Sequence, residues 1–329
     1  MSKVGIIANP AAGKDVRRVV AYTTFISNIE KTNQLKGIIL GIDSTGVDEI
    51  LIMPDYDGLG QRALFGIGSP NIKAKTSILD MPAVFRAQDS ALAAELMGKA
   101  GVGCIVTLGG DGTNRDVARG RRDIPLVPVA SGTNNVFPVM VDPASAGIAA
   151  GLVARQIVTG KECIRTHKRL VIIRDDVDVD MALIDAVVLD RRFIGARAIW
   201  DLDEVRQVVC TRAEPHYLGM TRLGGNLHPI GADDSHGIYV KLGRGKLRVR
   251  ASVLPGLFSD VRVEEWKVLE PDEEVEVTHK PSVIALDGER EVIVKASDNV
   301  KIRLQKDGPP VVDIEKTLKE AVKKGYFTS

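Results

Sequence analysis

The chain has 329 residues, 44% hydrophobic and 26% charged, with a formal net charge of +1. That length leaves room for two cores, and so even a charge balance supplies no global field for nucleic acid or an anionic membrane. Aromatic residues at 4% argue against base-stacking platforms, and no apolar run approaches a membrane span. Cys104, Cys163 and Cys210 lie far apart in apolar or mixed runs, without metal-ligand spacing. They read as buried reduced thiols, and the chain as a cytoplasmic protein.

Val4 to Ala8 reads as a buried first strand running into the loop Asn9-Pro10-Ala11-Ala12-Gly13-Lys14 and a helix-compatible stretch, Asp15 to Phe25. This is not a P-loop. That motif needs glycine where Ala8 stands and Ser or Thr where Asp15 stands. Lys14 reads either as a phosphate ligand or as a solvated loop charge. Ser27 to Glu30 fits a capping box, and Ile29, Leu35, Ile38, Ile39 and Ile42 form a helical stripe behind it. Glu49 to Met53 is the next strand. Residues 54–70 carry four glycines and predict a loop broken at best by a short helix. Ile78 to Ala83 reads as a strand, and Gln88 to Lys99 as a helix capped by Asp89 or Ser90, with Ala91, Leu92, Ala94 or Glu95, and Leu96 in register.

The strand Cys104 to Leu108 leads into Gly109-Gly110-Asp111-Gly112-Thr113-Asn114 and a further helical run. Strand, glycine turn and helix is the order in which backbone N–H groups converge on a phosphate. Three glycines let a bulky anion approach the backbone. A carboxylate there is repulsive unless it holds a shared Mg²⁺ or accepts a proton from an attacking hydroxyl, and both tasks belong to phosphoryl transfer. Ile124 to Val129 is a third strand of this kind, ending in Ala130-Ser131-Gly132-Thr133-Asn134-Asn135. Three strands that each end in a small polar loop predict an open parallel sheet with its ligand at the carboxyl ends. A helix from Pro143 to Thr159 closes this α/β domain, residues 1–160.

Beyond Gly160 the pattern becomes a series of short β-type runs, with Leu247 to Leu254 alternating cleanly, so residues 161–306 predict a β-rich antiparallel domain. After Asp307-Gly308-Pro309-Pro310 the chain returns to helix, and residues 307–329 are expected to pack back on the first domain. His216, His228 and His236 have no metal-site spacing and read as solvated loop residues. Arg119, Arg121 and Arg122 read as a solvated helix end, with an acceptor-phosphate clamp as the alternative. Asp175 to Asp180 reads as a solvated hairpin turn.

The order of these loops, with Asp287-Gly288-Glu289 on a late hairpin, resembles the kinase superfamily of NAD kinases, diacylglycerol and sphingosine kinases and phosphofructokinases. The opening Gly5 to Pro10, Gly13-Lys14-Asp15 and Met53-Pro54-Asp55 resemble the ATP-NAD kinase-like proteins of the acetoin catabolism protein X type. The resemblance implies an N-terminal Rossmann-like parallel-sheet domain and a C-terminal β-sandwich. It implies an ATP- and Mg²⁺-dependent kinase acting on NAD or another hydroxylated acceptor, with no nucleic-acid or membrane partner, and a homo-oligomer is expected. Asp111 becomes the catalytic or metal-linked carboxylate. Asn9, Gly13, Lys14, Gly109, Gly110, Gly112, Thr113, Asn114, Ser131, Gly132, Thr133, Asn134 and Asn135 become nucleotide-binding residues, and Asp185 a substrate-binding one. The chain departs from NAD kinases at Ile184, where an asparagine is the rule, and at Gly219 to Gly225, where the Gly-Ser/Thr-Thr-Ala-Tyr element is blurred. It departs from lipid kinases at Asn114-Arg115-Asp116.

Overall fold

The structure, a computed structural model, describes residues 1–13, 26–131, 135–193, 202–254 and 256–328. Its first half alternates strand and helix: β1 (Lys3–Ala8), α1 (Asn28–Ser44), β2 (Glu49–Ile52), α2 (Leu59–Ile67), β3 (Lys75–Ile78), α3 (Gln88–Lys99), β4 (Cys104–Gly109), α4 (Asp111–Gly120), β5 (Leu126–Ala130), α5 (Pro143–Ala154) and the short β6 (Ile164–Thr166). Strands β1 to β5 pair in parallel in the order 3-2-1-4-5. Cys104 to Leu108 is thus central, lying directly beside β1. Alternate residues feed two cores, as strand geometry requires. Val4, Ile6, Val106 and Leu108 pack with α1, α2 and α5, while Ile7, Ile105 and Leu126 pack with α3 and α4.

Several local expectations are met and others shift. The Ser27 hydroxyl accepts from the Glu30 N–H at 3.1 Å and starts α1 as the capping box requires. Leu35, Ile38, Ile39 and Ile42 are fully buried, but Ile29 is 73% exposed, because it precedes the turn at which the helix meets the sheet. Residues 59–67 form a full helix, α2, within the glycine-rich stretch. The expected strand at Ile78 to Ala83 lies earlier, at Lys75–Ile78. It is an edge strand with no fully buried position, so its sequence is not apolar. Helix α3 starts at Gln88, and its buried face holds Ala94 of the expected register together with Ala93 and Met97, while Ala91, Leu92 and Leu96 are half-buried. Asp89 does not cap it, since its carboxylate accepts instead from the N–H groups of Val84, Phe85 and Arg86.

The second half is β7 (Arg169–Arg174), β8 (Val177–Ala182), β9 (Asp185–Leu189), β10 (Val205–Cys210), α6 (Met220–Gly225), β11 (Gly237–Leu254), β12 (Leu257–Leu269), β13 (Glu274–Glu276), β14 (Ser282–Leu286), β15 (Glu289–Val294), β16 (Val300–Gln305), β17 (Pro310–Val312) and α7 (Ile314–Lys323). A six-stranded sheet, 12-11-10-9-14-15, packs on a four-stranded one, 13-16-7-8. Their shared core holds Leu170, Ile172, Val188, Ile284 and Ile302. The apolar run Ala182 to Leu189 is therefore two strands in two sheets, with the crossing at Leu183-Ile184. The two runs Ile238–Leu242 and Leu247–Leu254 are one strand, β11, whose register slips around Gly243 and Gly245. Strand β17 returns to the first sheet between β5 and β6, and α7 packs on α5. Asp175 and Asp176 both have positive φ at the β7–β8 turn. No helix among the described residues is long and apolar enough to cross a membrane, and all three cysteines are free and buried.

Helices α1 and α5 approach to backbone contact at two glycines. A Cβ on Gly41 would strike the Ala144 carbonyl, and one on Gly147 the Ile38 carbonyl. Gly147→Ala is expected to cost about 1–3 kcal/mol, as overpacking does. The check is a lower urea midpoint at unchanged slope, with Gly160→Ala, where a Cβ meets nothing within 4 Å, as the neutral control.

Candidate functional site

A sheet of order 3-2-1-4-5 reverses direction between β1 and β4, and the loops leaving those strands part there to open a crevice. A cleft of about 360 Å³ lies at that point. The first domain supplies the loops after β1, β2, β4 and β5 together with Phe85 to Ala87. The second supplies Asp185, Leu218 to Met220 and Asp287 to Glu289.

The floor is built from short hydrogen bonds between loops. Asn9 Nδ2 donates to Thr113 Oγ1 at 2.9 Å, tying the β1 loop to the glycine loop. Lys31, fully buried on α1, donates through Nζ to the carbonyls of Asn9, Pro10 and Ala12 and so fixes the β1 loop from behind. Gly110 is the N-cap of α4 and has no side chain, which leaves the first-turn N–H groups without a side-chain cap. A Cβ on Gly110 would come within 2.9 Å of Asn135 Oδ1, so the β4 and β5 loops meet there. Asp111 turns toward the β5 loop: Oδ1 accepts from Val136 N–H at 3.0 Å and Phe137 N–H at 2.8 Å.

The far wall depends on one buried aspartate. Asp287 and Gly288 both have positive φ, at 52° and 84°, and form the two-residue turn of the β14–β15 hairpin. The Asp287 carboxylate accepts from the N–H groups of Leu183, Ile184 and Asp185 at 2.7–3.2 Å, at the point where the chain crosses between the sandwich sheets. Burial pushes its carboxyl up, against the opposing pull of Arg115 and those three N–H groups. Arg115, on α4 of the first domain, is 1% exposed. It donates to the Leu286 carbonyl at 2.5 Å and to Glu291 at 3.0 Å. Burial alone would pull Arg115 down, but Asp287, Asp116, Glu291 and Asp180 together hold it above its usual value.

Of the residues singled out from sequence, Asn9, Gly13, Gly110, Asp111, Gly112, Thr113, Asn135 and Asp185 line the cleft. Gly109, Asn114 and Ser131 lie behind it. Asn114 is fully buried, accepting from Thr107 Oγ1 and donating to the Gly110 carbonyl, so it braces the loop rather than facing a ligand. Lys14, Gly132, Thr133, Asn134 and the expected helix Asp15 to Phe25 lie outside the described residues. Arg119 is exposed in the last turn of α4, as a solvated helix end should be, but it is no free clamp, since it pairs with Asp116 at 3.5 Å and Asp180 at 3.1 Å. Asp180 is accordingly partly buried rather than a solvated turn residue. His216, His228 and His236 have separate neighbours in Tyr217, Trp266 and Glu270.

Sequence reading missed Asp116, Lys31 and Asp55 as parts of this site. Asp116 follows Gly112 by four residues and so shares its helix face. Burial pushes its carboxyl up to about 6, against Arg115 and Arg119, with Glu289 and Glu291 adding to the rise. The described lining carries six aspartates and one glutamate against the single cation Arg86.

Residues 65–157 match the ATP-NAD kinase N-terminal domain, and residues 168–307 match the acetoin catabolism protein X C-terminal domain. The whole chain is similar to acetoin catabolism protein X of Cupriavidus necator, at 34% identity over 97% of this chain and 92% of that protein. The chain belongs to the acetoin catabolism protein X family. In this family member the cleft takes its glycine loop from the kinase-like segment and Asp185 and Asp287 from the family-specific one.

Removing Arg115 leaves buried carboxylates without their cation. Arg115→Met is expected to cost about 3–5 kcal/mol at pH 8. Asp287 and Asp116 already sit above their unfolded values, and losing the cation raises them further. Their contribution is therefore retained at low pH and lost as pH rises through the folded pKa. Thermal melts at pH 5 and pH 8 should show the smaller deficit at pH 5.

Proposed function

We propose that this chain is an ATP-dependent kinase that transfers the γ-phosphoryl group to an alcohol, with the 2′-hydroxyl of NAD as the acceptor. The observation that carries this reading is the glycine loop and side-chain-free N-cap of α4 opening onto a cleft shared by two domains. A helix start of that kind receives phosphate oxygens on backbone N–H groups. Adenosine triphosphate would occupy the first-domain side, against Gly110 to Thr113 and the Asn9 loop. The acceptor would enter between Asp185 and the Gly219 turn.

The excess of carboxylates fits a nucleotide that arrives with a divalent cation. Mg²⁺ is an ion held by one or two carboxylates, phosphates and water. In this reading Asp111 would meet it. The cation would neutralise charge on the transferring phosphoryl group. The two N–H bonds tie Asp111 to the β5 loop, so in this reading it orients that loop beside the cation.

Ile184 supports a second reading, in which the acceptor is another small alcohol. Its side chain packs with Phe137, Met181 and Leu183 in an apolar cluster and offers a ribose or an amide no hydrogen bond. Incubation with ATP, Mg²⁺ and NAD, followed by an NADP assay, separates the two. NADP formation is the expected outcome. ATP turnover only on other alcohols moves the assignment to the second reading, and no turnover on any acceptor makes the chain a nucleotide-binding regulator. Gly110→Val, whose side chain would press on Asn135, should fold and weaken ATP binding at least about tenfold by calorimetry. Unchanged affinity would remove the nucleotide from this loop.

A further inference from the structure

We infer that Asp116 is the residue that takes the proton from the acceptor hydroxyl, an assignment that rests on the kinase reading above. The two carboxylates that sequence motifs make prominent have other work. Asp287 spends its oxygens on three backbone N–H groups, and Asp111 on two. Oxygens that already accept backbone N–H groups have those lone pairs engaged within the fold. Asp116 is held differently. Among the described residues its carboxylate meets Arg119 at 3.5 Å and Arg115 at 4.0 Å, both longer than a strong charge-assisted bond.

Position supports the same assignment. Asp116 lines the cleft on the helix face of Gly112, one turn beyond the glycine loop, with Glu289 across from Gly112. The charged groups around Asp116 are Arg115 and Arg119 on its own helix, Asp180 through Arg119, and Glu289, Glu291 and Asp287 from the β14–β15 hairpin. Burial and the hairpin carboxylates place its carboxyl at about 6, where a base is deprotonated at neutral pH yet still basic enough to act.

In the step itself the acceptor oxygen forms its bond to the γ-phosphorus while its O–H proton passes to an Asp116 oxygen. The bond from the γ-phosphorus to the β,γ-bridging oxygen breaks, and the electron pair leaves on ADP. Protonation of Asp116 blocks this, so activity should fall as pH drops through about 6 and hold above it.

The test is the pH profile of kcat/KM with ATP, Mg²⁺ and the acceptor found active, for the wild type, Asp116→Asn, Asp116→Glu and Arg119→Gln. Asp116→Asn should lose roughly 10²–10⁴-fold in kcat, keep its KM for ATP and lack the acid limb. Asp116→Glu should restore a measurable part of the rate. Arg119→Gln removes a cation that favours the charged carboxylate, so its acid limb should move to higher pH, and this holds even if Asp116→Asn fails to fold. A folded Asp116→Asn with more than a tenth of wild-type kcat, or an acid limb that stays put in Arg119→Gln, overturns the assignment and leaves the kinase reading standing. A wild type inactive on every acceptor overturns both.

Discussion

The guanidinium of Arg115 is the charge around which the two domains are joined. It leaves the first-domain helix α4 and ends, 1% exposed, between the Leu286 carbonyl and Glu291 of the second domain. A cation so buried is tolerated only where carboxylates surround it, and Asp287, Asp116, Glu291 and Asp180 do so. Asp287 then passes the constraint on. Its carboxylate gathers three consecutive N–H groups at the crossing between the sandwich sheets, which sets where Asp185 meets the cleft. The glycine loop is one turn away on the same helix as Arg115, so the glycine-loop floor and the Asp185 wall of the cleft are fixed by one connected network.

The same network makes the cleft acidic. One arginine cannot neutralise the carboxylates that hold it, and the described lining keeps a large negative excess. Such a site repels a bare triphosphate and favours one carrying a cation. It also sorts its carboxylates by environment. Burial pushes Asp287 up, against three backbone N–H groups that favour its charged form, whereas Asp116, desolvated and only loosely paired, is pushed up to about 6.

Much of this was legible in the sequence because the parallel strands are apolar and end in marked loops. Cys104 to Leu108 followed by Gly109-Gly110-Asp111-Gly112 belongs with the Asn9 loop on the sequence pattern alone. The sandwich was legible as a class, but its break at Leu183-Ile184 was hidden, because a strand that changes sheets stays apolar throughout. The edge strand β3 was misplaced for the opposite reason, as its residues are too polar to announce it. Lys31 and Asp116 could not be recognised as site residues from local pattern. Lys31 sits on a helix that reads as ordinary, and its three carbonyl partners are a loop some twenty residues earlier. Asp116 becomes notable only when the hairpin around Asp287, far away in sequence, is folded against it.

The most direct test of this account is a calorimetric titration of the protein with ATP, with and without Mg²⁺. An acidic cleft with a glycine-loop floor predicts binding that strengthens at least about tenfold when Mg²⁺ is present, and that is lost in Gly110→Val in both conditions. Equal or tighter binding of metal-free ATP would contradict it, because the carboxylates gathered around Arg115 could not then form the wall that the phosphates face.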